Sequence, residues 1–440
     1  MSFLSYPAPP LSISSTSSFS SSSESVLLSS LPSTPATSPS LSHPTPPSSK
    51  LETVIEGNDY FPNIPLFAHS YPPSPAVIAS AMAPLSSSLP KTYSRITLRE
   101  RPRAAVDPKL DGSGTFSLER EVPMPRDDEV QDGEAVVKVE WVSIDPAMRG
   151  WLNPTRSYVP PVAIGAPMRA AGVGRIVRLA KGEKAAGKFQ VGDWVVGTLD
   201  WNEYSKVPVK ELQKIQIDKD ISPTYYLGAL GMTGQTAYWG LHDVGKIKSG
   251  ETVVVSGAAG AVGSLACQLA KLHGCRVVAI AGGPDKCRWL RDEVGIETVL
   301  DYKDKDFKNK FREIGYIDVV FDNVGGSMLD MCLARLKKGA RVALCGAISA
   351  YNDPSPEGLK MYLNLISQRA KIEGFIVFDY ADRYHIAAEE IARHIRAGKL
   401  QLRETHLHGL DQCVNGLVGL FEGANTGKML VKIGDDGPKL

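Results

Sequence analysis

Residues 252–287 read TVVVSGAAGAVGSLACQLAKLHGCRVVAIAGGPDKC, and their glycines decide the fold. The opening Thr-Val-Val-Val is β-branched and apolar without alternation, the composition of a strand buried on both faces. Gly257, Gly260 and Gly263 follow at once, and a helical spacing begins at Val262. A second apolar run, Arg276–Ala281, completes a strand–loop–helix–strand unit. Small residues at such a turn let the backbone bend tightly and approach a pyrophosphate, whose charge the helix N-terminus then meets. The usual dinucleotide spacing is G-x-G-x-x-G, whereas Ala259 makes this one G-x-x-G-x-x-G. The context of strand before and helix after makes dinucleotide binding the reading, against a merely tight structural turn.

The position that senses the adenosine ribose supports this and narrows it. A site for NADH places Asp or Glu at the end of the second strand, but here the strand ends in Gly282 and Gly283. A carboxylate would repel a 2′-phosphate, while Lys286 offers it a cation, so the expected cofactor is NADPH.

Outward from this unit, strand candidates Thr298–Leu300, Asp318–Phe321 and Arg341–Leu344 alternate with helix candidates Asp285–Val294, Lys305–Ile314 and Ser327–Leu336. Such alternation predicts an α/β doubly wound parallel sheet, a Rossmann domain assigned to 222–381. Before it, EAVVKVEWVSID, AAGVGRIVRLA, VGDWVVGTL and YSKVPV are short runs broken by Gly, Pro and Asp, predicting a small barrel or sandwich over 91–221. Beyond 381, HIAAEEIARHIRAGKL predicts an amphipathic helix and KMLVKI a last strand, so 382–440 is read as a segment that rejoins the first domain.

A chain of 440 residues is long enough for two domains with an excess. Residues 1–90 are dominated by Ser, Pro and Thr, which bury too little to offset their ordering entropy, and are expected to be a disordered extension. An organelle address remains the alternative, and Met82 offers a second start. The net charge of +1 gives no basic field for nucleic acid, and no run of eighteen apolar residues exists to span a bilayer. A small-molecule partner is expected instead. All six cysteines follow position 266, without a C-x-x-C pair, and read as buried small hydrophobes in a reducing, cytoplasmic setting.

Two reductase classes are excluded by what is missing. No tyrosine has a lysine four residues on, so the Tyr-x-x-x-Lys proton donor of short-chain reductases is absent. Cysteine is absent before 267 and histidine between 70 and 241, so the zinc site of the alcohol dehydrogenases cannot be built in the first domain, and no metal is expected.

The set SIDPAMRGW (143–151), LGMTGQTAYWGL (230–241), FDNVGG (321–326), CGAISAYN (345–352), EGFIVFDY (373–380) and GANTGKMLVKI (423–433), together with the glycine loop, resembles the zinc-independent branch of the medium-chain dehydrogenase/reductase superfamily. Within it the match is to the group of prostaglandin reductases and alkenal double-bond reductases, over residues 93–435. The resemblance implies a GroES-like barrel domain, a Rossmann domain, a homodimer, and NADPH-dependent reduction of the carbon–carbon double bond of enals and enones. It carries cofactor roles onto Gly260, Ala261, Val262 and Gly263 at the pyrophosphate, and Lys286 and Tyr302 at the adenosine phosphate. It implies cofactor contacts also for Asn323, for Cys345, Gly346, Ala347, Ile348, Ser349, Ala350 and Tyr351 around the nicotinamide side, and for Phe375, Ile376, Val377 and Asn425. Tyr351 matches the tyrosine near the substrate carbonyl and is expected to donate a hydrogen bond to the developing enolate, the nicotinamide ribose hydroxyl being the other candidate donor and a loop tyrosine that only shapes the pocket wall the alternative.

Some residues stay open at this stage. Asp145 and Arg149 read as a turn closed by a salt link rather than a substrate clamp, and Tyr158, Tyr238 and Trp239 as pocket wall or core. Many family members carry an aromatic residue where this chain has Ala147, so prostaglandin-like substrates do not transfer. A quinone reductase is the alternative activity, and a non-catalytic NADPH sensor the remote one.

Overall fold

The structure is a computed structural model that describes residues 89–180, 182, 187–218 and 220–433; the Ser/Pro-rich extension expected over 1–90 lies outside them but for its last two residues. The first half is built from β1 (Thr92–Leu98), β2 (Phe116–Pro123), β3 (Glu134–Ile144), β4 (Ala171–Leu179), β5 (Trp194–Thr198), β6 (Tyr204–Pro208) and β7 (Gln213–Lys214), with one turn of helix α1 (Met148–Trp151). The second alternates strand and helix from α2 (Met232–Trp239): β8 (Thr252–Val255), α3 (Ala261–Leu272), β9 (Arg276–Ala281), α4 (Pro284–Asp292), β10 (Thr298–Asp301), α5 (Phe307–Glu313), β11 (Ile317–Asp322), α6 (Gly326–Leu333), β12 (Leu336–Leu344), α7 (Leu363–Gln368) and β13 (Lys371–Gly374). The chain closes with α8 (Tyr384–Arg396), β14 (Glu404–His408), α9 (Gln412–Glu422) and β15 (Lys428–Lys432).

The parallel sheet has the order β10-β9-β8-β11-β12-β13, so the order in which strands are added switches from one side of β8 to the other between β10 and β11, while β8 and β11 run parallel. Their registers are Val319 beside Val253 and Phe321 beside Val255, which sets the loops after both strands at one edge of the crevice where such sheets take ligands. All four residues of β8 are buried, as an uninterrupted β-branched run with helices on both faces requires. Two apolar layers flank the sheet, one with α2, α3 and α8, the other with α5 and α6.

Helix α2 runs on into a π turn, Gly240–Val244. A Cβ on Gly240 would stand 2.6 Å from both Phe321 Cε2 and Phe375 Cζ, so glycine is what lets this turn lie against β11.

The antiparallel sheet runs β14-β15-β3-β4-β5-β7, with β6 also on β3. The last strand pairs Met429 with Ile144 and Val431 with Val142, and its neighbour β14 lies parallel to it across α9. Cys413, Val414, Leu417 and Leu420 of α9 share one core with Ile96, Trp201 and Met148. The expected boundary at 382 differs from this packing: Tyr384, Ala387, Ile391 and Ala392 of α8 belong to the core of the parallel sheet, and the chain crosses back only at β14. The amphipathic pattern of α8 identifies a buried face without naming its partner.

Candidate active site

The loop after β8 enters the crevice with Gly257 at φ 59°, a left-handed turn that glycine tolerates, and Gly260 capping α3. A Cβ on Gly263 would come 2.3 Å from the Gly257 carbonyl oxygen, so the first turn of α3 packs onto the loop as no larger residue allows. Beyond Gly260 there is open space save for Gly257 O at 3.2 Å. The first amides of a helix have no carbonyl four residues back, so Ala261, Val262 and Gly263 present donors at the positive end of a helix 12 residues long. That is a cradle for a diphosphate.

At the end of β9, Gly283 (φ 96°) donates its amide to Asp301 Oδ1 at 2.9 Å, and the same oxygen accepts from the Lys303 amide. The carboxylate that could have faced a ribose is thus absent from β9, and the one on β10 is occupied by backbone. The Tyr302 ring, half exposed, covers Gly282, whose Cβ would stand 2.6 Å from it. Lys286 Nζ donates to Gly423 O at 2.8 Å; burial, with Lys303 adding to it, pushes its ammonium below the usual lysine range. Lys303, exposed on the turn after β10, lies within electrostatic reach of Lys286 and adds a second cation to the one expected here. Lys303 was missed because DYKDKD reads as a solvated charged turn.

Asp322 ends β11, 0% exposed, accepting from Ser256 Oγ at 2.6 Å and the Gly325 amide at 2.8 Å; burial raises its pKa. Asn323 donates from Nδ2 to Ser256 O at 2.7 Å. These bonds lock the ends of β8 and β11 together. The next loop hangs from them: Cys345 and Gly346 donate to Asp322 O, Ile348 to Asn323 O and Ser349 to Val324 O. The Tyr351 hydroxyl turns back over this loop and accepts the Ala347 amide at 3.1 Å. A hydroxyl bonded as acceptor keeps its proton to donate, and burial holds the Tyr351 pKa above the usual tyrosine value.

From the barrel side Tyr158, 41% exposed, accepts from Trp151 Nε1 at 3.0 Å, sits 6.1 Å ring to ring from Phe378 and lies within electrostatic reach of Tyr351. Gly427 donates to Ala259 O at 2.8 Å and bridges Gly260, so the 423–427 stretch borders the glycine loop; Asn425 Nδ2 closes that turn on Gly427 O. Phe375 stacks edge-on against Phe321 at 6.4 Å, with Ile376 and Val377 leading into the next turn. The glycine loop, Asn323, the 345–351 loop and Asn425 thus gather at one crevice.

Four open residues resolve. Tyr238 and Trp239 are core, the former donating to Glu390 Oε2 at 3.1 Å. The salt link between Asp145 and Arg149 does not form. Asp145 Oδ1 instead pairs with Lys428 Nζ at 2.7 Å, because β15 brings that lysine to the end of β3. Arg149 turns away, its donors on Ala104 O, Pro102 O, Asn153 Oδ1 and Asn352 Oδ1.

A parallel sheet with a glycine-rich loop at its switch point, beside a largely antiparallel sheet, fits the class of dinucleotide-dependent oxidoreductases. Residues 94–215 match the family described as the N-terminal domain of oxidoreductase, and residues 261–393 the family described as zinc-binding dehydrogenase. Among the described residues no group of three or more His, Cys, Asp and Glu could hold a metal ion. The chain is 42% identical to the NADP-dependent 2-alkenal reductase of Nicotiana tabacum, over 68% of this chain and 87% of that one. It is 36% identical to the NADPH-dependent curcumin reductase of Escherichia coli, over 78% and 97%. The structure of CurA from Vibrio vulnificus in complex with NADPH superposes with a TM-score of 0.69 at 37% identity, covering 78% of this chain and 99% of that one. The chain belongs to the medium-chain dehydrogenase/reductase superfamily, in the zinc-independent group of alkenal and prostaglandin reductases.

Proposed function

We propose that this protein is an NADPH-dependent reductase of the carbon–carbon double bond in α,β-unsaturated aldehydes or ketones, working without a metal. The observation that carries the reading is the Tyr351 hydroxyl, held on the 345–351 loop at the switch-point crevice with its proton free. In this reading the amides of Ala261, Val262 and Gly263 with Gly260 hold the pyrophosphate. Lys286, Lys303 and Tyr302 take the 2′-phosphate, while Asn323, the 345–351 loop, Phe375–Val377 and Asn425 border the nicotinamide.

When bound, NADPH supplies a hydride to the substrate β-carbon. The chain's task is the negative charge that gathers on the carbonyl oxygen. Tyr351 donates a hydrogen bond to that oxygen, a preorganised donor whose burial strengthens the contact. The α-carbon takes its proton from solvent or from that hydroxyl. No strong acid–base pair is needed, because orientation supplies much of the rate. Ala147, half-buried at the head of α1, is smaller than the aromatic residue many members of the family carry there, which suits substrates broader than short enals.

The proposal includes a homodimer, supported by the open edge of β13 and the exposed Tyr362, Leu363 and Ile366 before it, and a cytoplasmic location, supported by six free cysteines. Among the described residues no helix is long and apolar enough to cross a membrane. The test is NADPH consumption with product identification on short enals, longer enones and a benzoquinone. Saturated carbonyl products are expected. Hydroquinone as sole product assigns the chain to quinone reduction, and NADPH binding without turnover makes it a sensor.

A further inference from the structure

We propose that Arg149 and Asn352 are positioning residues that set the Tyr351 hydroxyl from the barrel side of the crevice. The proposal rests on the reading that Tyr351 meets the substrate oxygen. Arg149 is 2% exposed, and among the described residues it has no carboxylate within ion-pair distance. Its Nε–H is shared between Ala104 O at 3.0 Å and Asn352 Oδ1 at 3.1 Å. Nη1 reaches Asn153 Oδ1 at 2.7 Å, and Nη2 reaches Ala104 O at 2.7 Å and Pro102 O at 3.1 Å. Burial of a guanidinium is costly unless its planar fork is satisfied, and here neutral acceptors from three separate segments do this. Such an arrangement fixes the segments to one another with little angular freedom.

Asn352 is the residue after Tyr351, and Arg149 lies 203 positions earlier, on the helical turn at the head of the barrel. The 345–351 loop is anchored to the sheet at its start, through the carbonyls of Asp322, Asn323 and Val324. Its far end is held by Asn352 on Arg149. Losing that acceptor leaves the tyrosine end of the loop tied to the sheet alone, free to shift relative to the barrel surface that carries Tyr158 and Ala147. A hydrogen-bond donor displaced by an ångström loses much of its effect on a transition state.

The test is a double-mutant cycle on the full chain with an enone as substrate. Asn352→Ala is expected to lower kcat about tenfold while weakening NADPH by no more than about twofold and keeping the melting temperature, since the pyrophosphate loop, the lysines and both cores are untouched and only the far end of the 345–351 loop is loosened. Asn352→Asp keeps the acceptor and is expected to restore kcat to within about twofold of the parent. In the Tyr351→Phe background Asn352→Ala is expected to change nothing further, because no hydroxyl remains to be placed. Equal losses in both backgrounds, or an unchanged kcat in Asn352→Ala, overturn the proposal while leaving the proposed activity intact. A silent Tyr351→Phe overturns the proposal together with the tyrosine's role.

Discussion

Replacing Lys286 and Lys303 by alanine, singly and together, separates the two nicotinamide cofactors. At an effective dielectric constant near 20, a unit charge pair 4 Å apart is worth about 4 kcal/mol. Salt screening and the hydration given up by lysine and phosphate bring a contact at this depth to about 1–2 kcal/mol, since Lys286 is only partly buried and Lys303 exposed. At 1.4 kcal/mol per tenfold, Lys286→Ala is expected to weaken NADPH binding about 5- to 30-fold, and the double variant about 100-fold. NADH has no 2′-phosphate and is expected to bind each variant within about twofold of the parent. The Lys286 bond to Gly423 O adds a small loss common to both cofactors, which the NADH titration measures directly. The assay is the fluorescence of each reduced cofactor on titration with protein at two ionic strengths, the NADPH losses shrinking as salt rises. Parallel weakening of NADPH and NADH refutes the assignment, and so does NADPH affinity indifferent to both substitutions.

Tyr351→Phe is expected to lower kcat about 10- to 100-fold, and because burial raises the Tyr351 pKa, the parent's advantage over it holds constant from pH 6 to 9 in a kcat–pH profile. Ala147→Tyr is expected to cut kcat/KM for bulky enones at least about tenfold more than for a short enal, by filling space at the head of α1; equal effects on both refute that placement. Asp200 has φ 58° and a carboxyl that burial pushes from 3.8 to about 7, so it favours the folded state while protonated, fully below 3.8, and loses that advantage as pH rises through 7. The shift is worth at most about 4 kcal/mol, and because Asp200 keeps part of its surface in water, Asp200→Asn, which tolerates the same backbone, is expected to stabilise the fold by about 1–2 kcal/mol at pH 8 relative to its effect at pH 4, read by urea denaturation at both pH values.

What the residues betrayed in advance was what burial dictates locally. Strands β8, β9 and β11 are apolar and β-branched because both their faces are covered, and the glycine loop needs small residues whatever the rest of the chain does. Strands β13 and β14, KIEG and ETHLH, sit at sheet edges, where exposed charge and histidine erase the alternation. Helix α9 was hidden by Gly416 and Gly419; Gly416 is small because Ile144 and Leu407 lie 3.3–3.4 Å from where its Cβ would be. The site divides in the same way. Gly260, Lys286 and Tyr351 stand in recognisable stretches, but Lys428, the partner of Asp145, and Asn352, one partner of Arg149, lie 283 and 203 positions away, and nearby opposite charges suggested a pair that the backbone does not make.

The closing of β15 onto β3 also orders events during synthesis. Ile144 O and Lys428 Nζ, bonded in the finished protein, are separated by 284 positions. At a ribosomal rate of about 5–20 residues per second, the far half of β3 waits roughly 15–60 s for its partner strand. Throughout that interval the nascent barrel carries an open edge and an uncovered apolar face where α9 will lie. The parallel sheet, whose strands all precede β14 in the chain, is able to form first, and the barrel is sealed last.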